Sequence, residues 1–203
     1  MKILLIDCSS DSPEFAVAEN NSILVNEKLD RDSNAESLIY NLNICLRNSS
    51  LSFNDVSCVS VSNGPGSFTG LRVGLAIAKG LCFANNLKLI LLSSLDIIAS
   101  SVNPPEDEKF ICTIPSNVKS GEMYFSVYQS ALGNVSRIAD YGIDTEINLK
   151  NMNLKIFNSE KKSMSSQLKL SVSRIIENNF DDISNAEPFY LKEFIPLKSK
   201  NGK

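Results

Sequence analysis

Between a run of Val and Ser and a helix rich in small residues lies Asn63-Gly64-Pro65-Gly66-Ser67-Phe68-Thr69-Gly70-Leu71-Arg72-Val73-Gly74. The chain is expected to leave a buried strand, Val56 to Ser62, turn tightly, and enter a helix over Thr69 to Ala84. Gly64 and Gly66 tolerate φ > 0 without a Cβ clash, and Pro65 holds φ at about −65° between them. Ser67 or Thr69 can cap the helix by accepting from its free N–H groups. The helix start then aims unpaired donors and a positive dipole end at whatever lies above the turn. The loop is therefore an anion cradle or a structural corner that lets a helix dock closely. Known phosphate motifs fit poorly. A Walker loop needs Gly-Lys-Ser/Thr where Gly70-Leu71 stands, and Gly64, Gly66 and Gly70 miss the G-x-G-x-x-G spacing by one residue. G-x-S-x-G fails because Pro65 stands two before Ser67. The spacing favours the structural corner.

Gly70, Gly74 and Ala78 recur every four residues and so share one helix face. Such a face has no side-chain ridge and admits another helix close to its backbone. Each helical glycine costs about 1 kcal/mol relative to Ala, Gly80 included, and close packing is the natural compensation. That packing lies inside the chain or against a partner.

The 203 residues suffice for one large domain or two small lobes. The net charge of −3 lacks the basic field of a protein that grips tRNA or DNA alone. Lys192, Lys198, Lys200 and Lys203 read as a solvated tail. There is no histidine, which excludes a Ser-His-Asp triad, a Cys-His dyad and any His-ligated zinc. The five cysteines (Cys8, Cys45, Cys58, Cys82 and Cys112) never form C-x-x-C and read as buried apolar residues in a reducing compartment. Lys2 and Ile3 to Ile6 look like a leader, but Asp7 ends the apolar run. The longest apolar helix contains Arg72 and Lys79, so no membrane span and a cytoplasmic location are expected.

In chain order, Lys2 to Cys8, Phe15 to Ala18 and Ile23 to Leu29 read as a strand meander, with Asn20-Asn21 as a tight turn. Ser33-Asn34-Ala35-Glu36 is a capping box for a helix reaching Asn48, with Leu38, Leu42, Cys45 and Leu46 on its apolar face. Strand Val56 to Ser62, the glycine helix, strand Leu87 to Leu92 and helix Leu95 to Ser101 follow. The order β-β-β-α-β-α-β-α points to an α/β fold of mixed sheets flanked by helices, as in the ribonuclease-H-like lobe of actin and sugar kinases. Pro104-Pro105 and the charge run after it mark a boundary, giving an N-terminal lobe over 1–102 and a smaller C-terminal lobe over 103–203. In the second lobe, Phe110 to Ile114, Met123 to Tyr128 and Lys155 to Phe157 read as strands, and Gln167 to Asn178 as an amphipathic helix.

At this point the chain resembles a known family. Asn63 to Leu75, followed by Ala78-Lys79-Gly80-Leu81, is similar to the signature of the TsaB (YeaZ) proteins, which take part in making N6-threonylcarbamoyladenosine in tRNA. Ile6-Asp7-Cys8-Ser9, Leu92-Ser93-Ser94-Leu95, Gly121-Glu122-Met123-Tyr124 and Glu187 to Lys192 resemble further family motifs, in the family's order. Asn34-Ala35-Glu36 and Asn117-Val118-Lys119 depart from the family's His-Ser-Glu and Asp-Ala-Arg. The resemblance implies an actin-like, two-lobed fold with a reduced second lobe. It implies a non-catalytic scaffold that pairs with the TsaD-type transferase through helices Asn34–Asn48 and Thr69–Ala84, and that is joined by a TsaE-type ATPase. Interface residues would then be Leu38, Leu42, Cys45, Gly70, Gly74 and Ala78. A homodimer is expected when the chain is alone, and tRNA is met only indirectly. No cofactor or metal is required.

The alternative is an actin-like nucleotide phosphotransferase or ATPase. Asp7, Ser9 and Ser10 stand where that superfamily holds magnesium and phosphate, so weak ATP or ADP binding belongs to this reading. Against it, Cys8-Ser9-Ser10-Asp11 lacks the superfamily's glycine-bearing turn.

Overall fold

In β1 (Lys2–Asp7) every residue after Lys2 is buried, as expected of a central strand covered on both faces. The computed structural model describes residues 1–30, 35–117 and 121–191, without the side chains of Ala35 and Asn117. Ser33 and Asn34 of the expected capping box, Val118-Lys119 and the lysine tail lie outside the described residues. β1 pairs antiparallel with β2 (Glu14–Glu19), and β2 with β3 (Ser22–Lys28). Asn20 and Asn21 both take left-handed backbone, φ 48° and 68°, which a two-residue hairpin turn of the twist-matched kind requires. β4 (Cys58–Gly64) runs parallel to β1, and β5 (Lys88–Ser93) parallel to β4, giving the order β3-β2-β1-β4-β5.

Side chains alternate across this sheet. Leu4, Ile6 and Cys8 face α1 (Ala35–Asn48) and α2 (Phe68–Asn85), packing with Leu38, Leu42, Leu75 and Ala78. Ile3 and Leu5 face the opposite way, against Met164 and Leu168 of the last helix, α5 (Met164–Ile176). Gln167 of α5 is buried and donates to the Ile6 and Ser60 carbonyls at 3.2 and 3.1 Å, so its amide satisfies two backbone acceptors. This packing brings the chain back across the expected division at residue 103. α5 covers the first sheet, and Asp181 forms an antiparallel bridge with Leu89 of β5.

The second sheet holds β6 (Lys109–Asn117), β7 (Glu122–Ala131), β8 (Asn134–Arg137), β9 (Gly142–Thr145) and β10 (Lys155–Phe157). Its order is β10-β6-β7-β8, with β9 paired to the start of β7. Leu132 and Gly133, both at positive φ, turn β7 into β8. α3 (Ser94–Ser100) joins the sheets. Its Leu95, Ile98 and Ala99 pack on Phe110, Cys112 and Tyr128, while Ile97 packs on Ile90 and Leu92. A six-residue helix, α4 (Glu146–Asn151), follows β9.

Candidate functional site

β4 ends in the glycine loop, and the loop lies against the end of β1. Gly64 has φ +117°, a backbone that needs glycine, and a Cβ there would stand 2.8 Å from the Phe189 carbonyl oxygen. Gly66 is glycine for space instead: a Cβ would fall on the Ser9 carbonyl oxygen, which accepts from the Ser67 N–H at 2.7 Å. Ser67 caps α2, its hydroxyl accepting from the Gly70 N–H at 3.3 Å, while Thr69 is exposed. Further along α2, a Cβ on Gly70 would fall on the Cys8 carbonyl oxygen, and one on Gly74 would stand 3.0 Å from Cys8 Cβ.

The small-residue face of α2 is therefore filled by β1 of the same chain. Gly74 and Ala78 are buried, as are Leu38, Leu42 and Cys45 of α1. The expectation that these residues meet a partner through a ridge-free flank is corrected by this packing: the flank is internal. The Cys8 and Ser9 backbone occupies the space an anion would need, so the loop is a corner and not a cradle.

At the same corner Asp7 is sealed with a counter-ion. Its Oδ2 lies 2.6 Å from Lys162 Nζ, and its Oδ1 accepts the Ser9 N–H at 3.0 Å. Lys162 Nζ also donates to Ser9 Oγ. Both charged side chains are about nine-tenths buried, at 8% and 10% exposure. Burial pushes the Asp7 carboxyl up. The Lys162 ammonium, its hydrogen bond and the Ser9 donors outweigh that and hold it below its ordinary value. Ser10 does not join them; it is exposed, and its hydroxyl donates to the Ser12 carbonyl at 3.0 Å. Lys162 escaped sequence reasoning. It precedes the Ser163 cap of α5 in a Lys-Lys pair that reads as surface charge. The available signal was Asp7 itself, because a carboxylate at the end of a buried strand needs a partner.

The 186–190 segment closes the corner from above. The Phe189 N–H donates to the Asn63 carbonyl at 2.7 Å, and its ring lies 5.0 Å from the Tyr141 ring. The Tyr190 ring lies 5.1 Å from Phe68, and its hydroxyl accepts from Arg72 Nε at 2.9 Å. Lys79 Nζ donates to the Ala186 carbonyl at 3.0 Å.

All five cysteines are free and buried. Burial, with a smaller push from the Asp7 charge, raises the Cys8 thiol to about 12, and burial raises Cys82 to about 11. Neither is a nucleophile at neutral pH. No cluster of three or more metal-ligating residues occurs among the described residues.

The outer faces of α1 and α2 are open where their inner faces are not. Ile39, Phe53, Val73, Ala76, Ile77, Gly80 and Leu81, with the Leu42 side chain as floor, line a groove of about 440 Å³. Ile39 is 55% exposed, and Phe83 beyond the groove is 84% exposed. A Cβ on Gly80 would meet nothing within 4 Å. Of the groove's residues, Ile39, Ala76 and Gly80 are exposed, and Phe53, Val73, Ile77 and Leu81 are half-buried against the core. Among the described residues, no helix is long and apolar enough to cross a membrane.

Residues 31–178 match the family described as TsaD: tRNA N6-adenosine threonylcarbamoyltransferase. The chain is 29% identical over 127 residues to the tRNA threonylcarbamoyladenosine biosynthesis protein TsaB of Haemophilus influenzae, covering 62% of this chain and 53% of that one. It is 27% identical to the Escherichia coli TsaB over 130 residues, 64% of this chain and 55% of the relative. The chain thus spans about half the length of these two relatives. A TsaB from Buchnera aphidicola aligns over 98% of this chain and 90% of its own at 26% identity. The Pseudomonas aeruginosa structure described as YeaZ superposes with a TM-score of 0.76 at 18% identity, covering 94% of this chain and 99% of that one. A second structure, described as an uncharacterized protein with similarity to peptidase YeaZ from the same organism, gives 0.79 at 17%, with the same coverage. The mixed sheets flanked by helices expected from the element order, and the actin-like fold implied by the resemblance, are the fold of these structures.

Proposed function

Because this chain belongs to the tRNA N6-adenosine threonylcarbamoyltransferase family, on its TsaB (YeaZ) branch, we propose that it is a non-catalytic scaffold subunit in the biosynthesis of tRNA N6-threonylcarbamoyladenosine. In this reading it binds and activates a TsaD-type transferase, a TsaE-type ATPase joins the pair, and tRNA is reached through the partner. The observation that carries the proposal is the pairing of an occupied polar corner with an open apolar groove. The ion pair buried beside the glycine loop ties Asp7 to Lys162, and Lys162 in turn to Ser9. The α1–α2 groove offers carbon surface of the kind that supports a helix–helix interface, and Gly80 and Ala76 let a partner backbone come close. The partner surface is thus assigned to Ile39, Val73, Ala76, Ile77 and Gly80. Without its partner the same groove would pair with a second copy.

The test is size-exclusion chromatography of the full chain mixed with a TsaD-type transferase. Co-elution is expected, and Ile39→Asp or Ala76→Arg should abolish it while leaving the melting curve of the free chain unchanged. Co-elution that survives both substitutions removes the groove from the interface.

The nucleotide reading rests on Asp7 and Ser9 lying together at a strand end. It requires the 2.6 Å Asp7–Lys162 contact to open first. A titration of ATP with magnesium, with Asp7→Ala as control, separates the two readings.

A further inference from the structure

The glycine loop and the 186–190 segment come from distant parts of the chain and meet at the junction of the two sheets. Residues 186–190 belong to no helix or strand, so what holds them is what they touch. The segment is anchored at its start. Asp181 bridges Leu89 and pairs with Arg174, Ile183 packs on the first core, and Ala186 is buried in it with its carbonyl held by Lys79 Nζ at 3.0 Å. Glu187 is then exposed, and beyond it the ties are of a different kind.

Two neighbouring rings reach to different sheets. The Phe189 ring lies 5.0 Å from that of Tyr141, in the connection between β8 and β9. Tyr141 is itself fixed: its hydroxyl donates to Asp96 of α3 at 2.6 Å, and the Arg137 guanidinium lies 3.9 Å from its ring centroid. The Tyr190 ring lies 5.1 Å from Phe68 at the start of α2. Arg72 is stacked on Phe68, 4.0 Å from its centroid, and donates to the Tyr190 hydroxyl at 2.9 Å. Between the rings, the Phe189 N–H donates to the Asn63 carbonyl at 2.7 Å, and Gly64 leaves room for the Phe189 carbonyl oxygen that a Cβ would crowd at 2.8 Å. The glycine corner is thus shaped to the backbone of this chain's own segment.

We propose that residues 187–190 are a closing strap: docked, they clip the Tyr141 connection of the second sheet to the start of α2, and they open as a unit while both sheets stay folded. Closure of two-layered proteins is commonly driven by a ligand bound between the moving parts. Here the closing contact is a piece of the chain. An extended segment tied by ring contacts and isolated hydrogen bonds, beyond an exposed residue and a firm anchor, is the kind of unit that opens below the cost of global unfolding. The strap is separate from the Asp7–Lys162 pair, and it stands whether or not the chain is a scaffold.

The experiment is native-state amide hydrogen exchange on the full chain, with the melting curve of each variant. The Phe189 amide should be protected about a hundredfold less than the Val59 and Val61 amides of β4, because it is freed by the strap alone. Phe189→Ala should speed exchange over residues 138–145 by about tenfold relative to β4, as expected of a local tie released without loss of the core. Arg72→Gln should speed the Phe189 amide by about three- to tenfold, the loss of one hydrogen bond. Lys155→Gln, a cation stacked on Phe157 at the far edge of the second sheet, should change none of these. A Phe189 amide as protected as those of β4 overturns the proposal. So does a Phe189→Ala chain that leaves 138–145 at the parent rate, speeds β4 equally, or fails to fold.

Discussion

α2 carries two glycine regions that meet opposite neighbours. At its start Gly70 and Gly74 lie under β1, and a single added Cβ has nowhere to go. About three turns after Gly70, Gly80 faces open space beside Ala76 and Ile77. The residue type and the helix are the same, so glycine spacing alone tells that something comes close but not what. Inside the chain the close neighbour is the strand that ends at Asp7. Outside it, the groove has no neighbour in the monomer, and the helical cost of Gly80 has no internal compensation.

The sharpest break of this comparison is at Gly70. Gly70→Leu would drive a side chain through the Cys8 carbonyl and separate α2 from β1, so no folded chain is expected. A cooperative melt within about 1 kcal/mol of the parent would mean that the corner yields, since such overpacking costs about 1–3 kcal/mol or more even where the neighbours can move. The result also bears on partner binding: Gly70 and Gly74 variants lose it only by losing the fold.

The Asp7–Lys162 pair gives the next largest effect. Lys162→Met leaves a buried carboxylate with no cation, which costs about 3–5 kcal/mol at neutral pH. The sign of the pH dependence changes with it. In the parent, the Asp7 carboxyl lies below its ordinary value of 3.8 in the folded state, so its contribution is present above that value and is lost as pH falls through the folded one. In the variant, burial, the largest influence on this carboxyl, is opposed only by the Ser9 donors and raises it, so the cost grows as pH rises above about 3.9. Urea melts from pH 4 to pH 7 should therefore show the gap between parent and variant widening with pH. A gap that stays constant would mean the pair is already open in solution. Asp7→Asn together with Lys162→Met should recover most of the loss, because removing both charges removes the unpaired one.

The first sheet was legible because its signals are local. The Asn20-Asn21 turn, the apolar runs of β1, β4 and β5 and the Ser67 cap each sit within a few residues of what they organise. The second sheet was only half legible. β8 and β9 are four residues each, Asn134–Arg137 and Gly142–Thr145, and carry no alternation long enough to register. α5 was visible as an amphipathic helix, yet its place on the first sheet was not, because Met164 and Leu168 meet Ile3 and Leu5 across about 160 residues of chain. The candidate site failed in the same way. Asp7, Ser9 and the glycine loop were visible, but Lys162 and Phe189, which complete the corner, come from the far end of the sequence. The groove was missed for a different reason: helical periodicity identifies the apolar stripe of α1 and α2, and the stripe was credited to the interface when its deepest members, Leu38, Leu42 and Cys45, form the core.

The smallest effect is the most selective. Gly80→Ala adds a Cβ to an exposed helix interior with no atom within 4 Å, so the only change inside the monomer is the gain in helix propensity. That gain is about 1 kcal/mol, and the free chain should melt higher by that amount. Gly80→Leu fills part of the groove and should keep the fold while blocking co-elution with the transferase. A chain made more stable by losing a glycine shows that folding does not require glycine there. If Gly80→Leu also binds the partner as the parent does, the groove floor is not where the partner backbone lies, and the surface retreats to the Ile39 side of α1.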